Sequence, residues 1–148
     1  ISTYVTRTGS IRASVSSVQI SARGAETYLA STGLRLLVDA ARGTYRSLGT
    51  HGANMETFDR VPGGFPPMGG QPVPGFTAAR DLVLSLHRRV PHLGVIGWEM
   101  MIDGEERPWL LEWNTRHPGA ASTETLFGPS WPDVDWSSLR PVPHTWLL

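Results

Sequence analysis

The most informative alternation of apolar and polar positions lies at residues 94–119, in the string GVIGWEMMIDGEERPWLLEWNTRHPG. It predicts two strands joined by a turn, because strand side chains alternate between two faces. A four-residue turn at 103–106 would place Ile102 opposite Arg107. Pairing would then continue outward through Met100 with Trp109, Trp98 with Leu111, and Ile96 with Trp113. These side chains form the apolar face of the predicted hairpin.

The opposite face of this hairpin collects Glu99, Glu112 and Asn114. In the predicted register Glu99 lies opposite Leu110 and diagonal to Glu112, with about 7–8 Å between the Cα atoms of the two glutamates. Two carboxylates and an amide oxygen suit Mg²⁺, whose remaining ligands are often nucleotide phosphates. A two-residue turn would instead separate the glutamates by roughly 13 Å, and an odd slip would put them on opposite faces. A plain hairpin with one solvated face stays an alternative, since strand glutamates are usually solvated.

Segments rich in β-branched residues precede the hairpin, and Gly-containing turns separate them. The predicted strands cover residues 3–7, 11–22, 26–31 and 34–40. A helix is predicted over 77–90, where apolar residues recur at helical spacing until Pro91 ends the pattern. The five prolines and five glycines of residues 61–75 predict a loop between them. The fold class predicted is α+β, an antiparallel sheet with one main packing helix.

Composition narrows the classes of function. The 148 residues, 40% of them hydrophobic, suffice for one ordinary core. Thirteen basic residues cancel thirteen acidic ones, so the charge gives no reason to expect nucleic acid as a partner. The absence of cysteine excludes disulfides and thiolate metal sites and fits a cytoplasmic protein. No stretch is apolar for the roughly 18 residues of a membrane span. The first residue is Ile1, which favours a piece of a longer polypeptide.

The five histidines provide the other candidate metal ligands. Their spacing matches no compact zinc motif, so zinc is not expected. They are His51, His87, His92, His117 and His144.

The hairpin string resembles the C-terminal signature of the ATP-grasp superfamily, in which an acidic residue on one strand is followed by Glu-x-Asn on the next and by a Pro-Gly turn. Here those positions are Glu99, Glu112, Asn114 and Pro118-Gly119. The likeness extends upstream to GLRLLVD at 33–39 and GQPVPGF at 70–76. It is strongest to the ATP-grasp proteins associated with sugar transfer and cell-surface polysaccharide biosynthesis. Residues 1–125 are therefore assigned to a catalytic subdomain, and 126–148 to a Pro/Trp-rich extension packed on the domain or on a partner.

The resemblance implies an ATP-dependent ligase that uses ATP and Mg²⁺. Such an enzyme activates a small-molecule carboxylate as an acylphosphate and joins it to an amine or similar nucleophile. Glu112 would bridge two metal ions, and Glu99 and Asn114 would each bind one. The resemblance also implies contacts to the nucleotide and substrate, the former from Glu112, Asn114 and Arg12 and the latter from Arg116, His117 and Gly119. The expected partner is an N-terminal ATP-grasp lobe carrying phosphate-binding lysines, because this chain contains no lysine.

Two positions depart from the family pattern. The place of a phosphate-binding arginine falls on Gln19 or Thr3, and that of an asparagine on Tyr28. Four other arginines could supply phosphate contacts: Arg7, Arg12, Arg23 and Arg35. Two alternatives therefore stay open. One is a degenerate ATP-grasp segment that acts as a non-catalytic binding or scaffold module, and the other is an unrelated β-rich glycan-binding domain.

Overall fold

The structure, a computed structural model, describes residues 1–14, 16–20, 33–51, 56–58, 67–116, 118, 124 and 129–131. These residues form two four-stranded antiparallel sheets and a helix. The strands are β1 (Ser2–Val5), β2 (Ile11–Ala13), β3 (Ser16–Ile20), β4 (Leu34–Asp39), β5 (Thr44–His51), β6 (Thr57–Phe58), β7 (Val95–Ile102) and β8 (Pro108–Asn114), and the helix is α1 (Phe76–His87). The hairpin sheet has the order β2-β1-β7-β8, and the meander sheet has the order β3-β4-β5-β6. The predicted α+β class is confirmed, with the strands divided between two sheets.

The segment predicted as one strand at 11–22 changes sheets part-way. β2 ends at Ala13, the Ser14 N–H donates to the Ser2 carbonyl, and β3 begins at Ser16 in the other sheet. β5 is absent from the predicted strands, because serine and glycine interrupt its apolar alternation. Its Gly49 makes room for a neighbour, since a Cβ there would lie 2.5 Å from the Phe58 ring. The strand predicted at 26–31 lies outside the described residues.

The first turn of α1 packs on the meander sheet, and its middle packs on the hairpin sheet. Phe76, at its first residue, lies in the core of the meander sheet with Val38 and Tyr45. Val83, in its middle, packs on the hairpin sheet against Ile96 and Trp98. The helix starts one residue before the predicted start and ends three before the predicted end, and the chain continues from 88 to 90 in tighter turns. One helix thus holds the two sheets together.

His87 is buried and connects α1 to β1 and to the segment that precedes β7. Its Nδ1 lies 2.7 Å from the Thr3 hydroxyl oxygen, and its Nε2 lies 2.6 Å from the Leu93 carbonyl oxygen. The same hydroxyl oxygen accepts the indole N–H of Trp98 at 2.6 Å. Every donor has an acceptor if His87 is neutral, with Nε2 donating to Leu93 and Nδ1 accepting from Thr3. His87 is therefore a core residue.

We expect the free energy of unfolding to fall as the pH is lowered below about 6.5, because burial lowers the pKa of His87 from its ordinary value. Between that value and the lower folded pKa, the unfolded chain binds a proton that the folded chain does not. The stability is thus complete above the ordinary pKa and is lost as the pH falls toward the folded one. Urea unfolding from about pH 8 to about pH 5 measures this slope.

The matched variant for this measurement is His87→Gln, which should flatten the slope below about pH 6.5. The buried amine of Ile1, whose pKa burial lowers to about 6, contributes with the same sign between its ordinary value of 8.0 and about 6. Both proteins share that amine, so their difference isolates the histidine. Equal slopes in the two proteins would contradict the neutral, buried imidazole.

The turn between β7 and β8 closes onto the start of α1. Gly75, the N-cap, has a φ of 64°, and its N–H donates to a carboxylate oxygen of Glu106 at 3.2 Å. A Cβ on Gly75 would lie 2.6 Å from both the Glu106 carbonyl oxygen and the Ile102 Cγ2 atom. Glu106 itself has a φ of 60°, which non-glycine residues rarely adopt. Glycine is thus required at Gly75 by both conformation and space.

Gly75→Ala should therefore lower the free energy of unfolding by about 2–4 kcal/mol, from left-handed strain and crowding together. Gly70 is the matched control, because it has a φ of 81° but nothing within 4 Å of its Cβ position. Gly70→Ala should cost only about 1–2 kcal/mol. Denaturant melts of both variants test this, and equal losses would refute the close docking of the turn on the helix.

Candidate functional site

β7 and β8 pair in a register that differs from the predicted one. Residues 103–107 connect the strands, so Ile102 lies opposite Pro108 and the predicted four-residue turn is wrong. The cause is Asp103, whose carboxylate accepts the backbone N–H groups of Glu105 and Arg107, each at 2.9 Å. It also accepts Arg107 Nε at 2.8 Å. These contacts stabilise a longer connection than alternation alone suggests.

A β-bulge then restores the side-chain parity that the longer turn had shifted. Leu110 lies opposite Met100, but the next pair is Glu112 with Glu99, so Leu111 is the extra residue. The bulge explains why the predicted pairing of Glu99 with Leu110 is wrong. It also explains why both glutamates still share one face.

The structure brings Glu99, Glu112 and Asn114 together on one face of the hairpin sheet. Glu99 and Glu112 are directly paired, which puts their Cα atoms about 4.5–5.5 Å apart instead of the predicted 7–8 Å. Asn114 pairs with Gly97 one step further along the same face. The Asn114 Nδ2 donates to Glu112 Oε1 at 2.9 Å, which leaves the amide oxygen able to bind a cation. These three residues are called the glutamate site below.

The charges of the glutamate site favour a cation. Like charges directly opposite each other destabilise a sheet, and among the described residues no arginine forms an ion pair with Glu99 or Glu112. A divalent cation between the carboxylates would turn repulsion into attraction.

The donor set fits Mg²⁺ better than a transition metal. The described ranges contain no group of three or more His, Cys, Asp or Glu side chains placed to hold a metal ion. Two carboxylates and an amide oxygen leave coordination positions for water and phosphate, as Mg²⁺ requires. The residues therefore match a metal ion that is held jointly by protein and nucleotide.

Apolar surface extends the face of the glutamate site toward the turn. Met101 and Trp109 are paired there and are 49% and 52% exposed. Trp109 is predicted on the opposite, apolar face, and that prediction is wrong because of the longer turn. Its indole N–H donates to Asp103 at 3.0 Å and, together with the Arg107 backbone N–H, lowers the pKa of that carboxyl to about 2. An aromatic ring is thus held in one orientation beside the carboxylates.

The other predicted site residues lie at different distances from the glutamate site. Arg12 shares its face, because Arg12 and Val95 both pair with Tyr4 in a continuous row. The row lies two strands over and four residues along from Glu99, which separates the Cα atoms of Arg12 and Glu99 by about 16 Å. Arg116 is exposed, two residues after Asn114. His117 and Gly119 lie outside the described residues.

The two places proposed for the family arginine differ in accessibility. Thr3 is buried on the helix side of the hairpin sheet, in contact with His87 and Trp98, and cannot reach the glutamate face. Gln19 is exposed on β3 of the meander sheet, opposite Arg35. The place proposed for the family asparagine, Tyr28, lies outside the described residues. A phosphate contact from Thr3 is therefore excluded.

A separate groove of about 620 Å³ lies on the meander sheet, at the turn between β4 and β5. It includes no residue of the glutamate site. The lining residues are Asp39, Arg42, Thr44, Tyr45, Arg46, Ser47, Leu48 and Gly70. Arg42 is already paired with Asp39 at 2.9 Å. The groove is thus a different surface from the one that carries the carboxylates.

Comparison with known proteins identifies the family of the chain. A family model described as sugar-transfer associated ATP-grasp matches residues 3–130. The chain belongs to this ATP-grasp family. No curated protein and no solved structure matches the chain. Membership excludes the alternative of an unrelated glycan-binding domain.

ATP-grasp membership indicates an ATP-binding, ligase-like protein. The matched range includes β2 to β8, α1 and the whole glutamate site. In the part of the ATP-grasp chain that the structure describes, no helix is long and apolar enough to cross a membrane. The glutamate site thus lies within the family match, on the exposed face of the hairpin sheet.

Proposed function

We propose that this chain supplies the metal-binding wall of an ATP-grasp active site, in which ATP activates a carboxylate substrate for ligation to an amine or similar nucleophile. The observation that carries the proposal is the direct pairing of Glu99 with Glu112, beside Asn114, on an exposed sheet face. Side-by-side carboxylates are destabilising by themselves. A bound cation and the nucleotide's phosphates give a reason for their arrangement.

The roles follow from position. Glu112 lies between Glu99 on the neighbouring strand and Asn114 on its own, so it is the residue that can share two metal ions. Glu99 and Asn114 each lie beside it and would hold one ion. When bound, Mg²⁺ would neutralise the negative charge that develops on the transferred phosphoryl group.

The proposed reaction has two steps. A carboxylate oxygen of the substrate attacks the γ-phosphorus of ATP, the bond to the β-phosphate oxygen breaks, and an acylphosphate and ADP form. An amine then attacks the acyl carbon, and inorganic phosphate leaves with the electrons of the broken C–O bond while the amine proton passes to solvent. The protein positions the reactants and stabilises charge, so no side chain of the glutamate site acts as a general base.

The surface beside the carboxylates suits the rest of a nucleotide. Met101 lies two residues from Glu99 on the same strand face, a distance of about 7 Å. Trp109 lies opposite Met101 and is oriented by Asp103. A flat apolar surface at this distance from the phosphate ligands can contact a purine base.

The second wall of the cleft would come from an N-terminal ATP-grasp lobe. The sequence supports this, because it contains no lysine to clamp the phosphates from the other side. One wall alone leaves water at the γ-phosphate and weakens every electrostatic contact. We therefore propose that the 148 residues bind MgATP weakly and that an N-terminally extended chain binds it well. The family description names an association with sugar transfer, and we propose from it a role in cell-surface polysaccharide biosynthesis, with the reaction in the cytoplasm.

The test is to trap the acylphosphate with hydroxylamine, which converts it to a stable hydroxamate. The extended chain is incubated with ATP, Mg²⁺ and a panel of sugar acids and amino acids. We expect ADP and hydroxamate in equal amounts, with both requiring the same carboxylate. ADP release without hydroxamate would show a different phosphoryl transfer and would refute carboxylate activation.

A non-catalytic binding module is the second candidate, and one observation favours it. The family arginine has no equivalent at Thr3, which is buried against His87 and Trp98. Loss of a phosphate contact lowers transition-state stabilisation more than metal binding. Binding of MgATP by the extended chain without any ADP release would support this second function.

A further inference from the structure

The chain folds back across the hairpin sheet directly after β8. Pro118 returns over β7, where its carbonyl oxygen accepts the Ser2 hydroxyl at 3.0 Å. Ser2 and Asn114 are the two cross-strand partners of Gly97, one on each side. Pro118 therefore lies over the row Ser2, Gly97 and Asn114, which includes one residue of the glutamate site.

Position 97 requires glycine because a Cβ there would collide with the backbone of Pro118. Gly97 does not have a left-handed φ, so an alanine would meet no backbone strain. A Cβ at Gly97 would lie 2.7 Å from both Cα and the carbonyl oxygen of Pro118 and 2.9 Å from its carbonyl carbon. These are backbone atoms, which cannot move away by a change of rotamer. The missing methyl group thus lets the returning chain touch the sheet.

The distance that Pro118 would have to move if residue 97 carried a Cβ is large enough to disturb the proposed metal ligands. Ordinary contact with a Cβ begins at 3.4 Å, so Pro118 would have to move by about 0.7 Å. Only three residues separate Pro118 from Asn114 along the chain, which leaves little slack to absorb that shift. Binding sites tolerate errors of about 0.5 Å in ligand position.

We propose that Gly97 is a positioning residue for the metal site. Its lack of a side chain lets Pro118 pack against the sheet, and this contact fixes the Asn114 amide beside Glu112. This inference rests on the proposed function of the glutamate site. The Ser2 hydroxyl holds Pro118 in the same position by donating a hydrogen bond to its carbonyl oxygen. Asn114 is thus held by the β8 pairing on one side and by the contact of Pro118 with the sheet on the other.

The test measures Mn²⁺ affinity by electron paramagnetic resonance on the 148-residue chain. Gly97→Ala should weaken binding by about 10- to 100-fold, the usual effect of losing a partner that orients a ligand. Gly104→Ala is the matched control, because Gly104 is on the adjoining turn with nothing within 4 Å of its Cβ position. It should leave the affinity unchanged. Equal affinities of Gly97→Ala and the wild-type chain would overturn the inference.

A double-mutant cycle separates positioning from general damage. If Gly97 acts through Asn114, the loss caused by Gly97→Ala should disappear in an Asn114→Ala background. A full additive loss in that background would show that Gly97 supports the fold instead and would overturn the inference. If Gly97→Ala does not fold, Ser2→Ala removes the hydrogen bond to Pro118 without crowding and should give a smaller loss with the same non-additivity. Failure of the wild-type chain to bind Mn²⁺ even with ATP present would count against the glutamate site itself.

Discussion

Glu112→Gln is expected to weaken Mg²⁺-dependent nucleotide binding by more than about 100-fold while leaving the fold as stable as before or slightly more stable. Loss of an outer-shell partner alone costs about 10- to 100-fold in metal affinity, and Glu112 is proposed as a direct ligand. The neutral amide also removes the repulsion with Glu99 across the strand pair. Calorimetric titration and urea unfolding on the same protein measure the two effects.

The matched control for that substitution is Glu105→Gln. Glu105 is exposed in the turn and pairs only at the surface, with Arg107 at 2.9 Å, so its loss should change both quantities little. Glu106 is less suitable, because its carboxylate accepts the Gly75 N–H at the helix start. Equal losses of binding in Glu105→Gln and Glu112→Gln would remove Glu112 from the metal site.

Trp98→Ala is expected to lower the free energy of unfolding by about 3–5 kcal/mol. The side chain is only 3% exposed and belongs to the core cluster that also contains Val83 and Ile96. Its removal leaves a large cavity and also takes the indole N–H away from the Thr3 hydroxyl. Guanidinium unfolding followed by circular dichroism checks the value.

Trp113 provides the comparison for Trp98, because the two rings are in contact with centroids 5.7 Å apart, yet Trp113 is 49% exposed. Trp113→Ala should cost about 1–2 kcal/mol, since half of its surface is already in water. Trp98→Phe keeps most of the volume, so it should fold even if Trp98→Ala does not. Similar costs for Trp98→Ala and Trp113→Ala would show that the helix does not cover this face as described.

The shared face of the glutamates is predictable from the sequence, but the register that produces it is not. Alternation is a property of local sequence, and it suffices to put Glu99 and Glu112 on one side of the hairpin. The direct pairing depends on Asp103, which organises a five-residue connection, and on Leu111, which is accommodated in a bulge. Two local irregularities compensate each other, and neither leaves a mark in the alternation of apolar and polar residues.

The burial of Thr3 and His87 shows a different limit of sequence reasoning. Both residue types are ordinarily found at surfaces or sites, and a hydrophobic pattern treats them as polar. They can be buried here because the hydrogen-bonding groups of Thr3, His87 and Trp98 satisfy one another. Such a match joins residues on three distant segments, so it depends on tertiary structure and not on local sequence. The family resemblance rests on the hairpin residues and says nothing about it.

The order of strands in the hairpin sheet has a consequence for folding. Ile1 and Trp98 hydrogen-bond to each other across 97 positions of sequence, whereas the β4 and β5 strands of the meander sheet are joined by a short turn. Closing a long loop costs more chain entropy than closing a short one, so distant strand pairs form slowly. During synthesis, β1 can pair early with β2, but its other partner, β7, is absent until that strand leaves the ribosome. The face of the glutamate site is therefore completed late, and an interruption of translation before β8 yields a chain that can build the meander sheet but holds no pair of carboxylates.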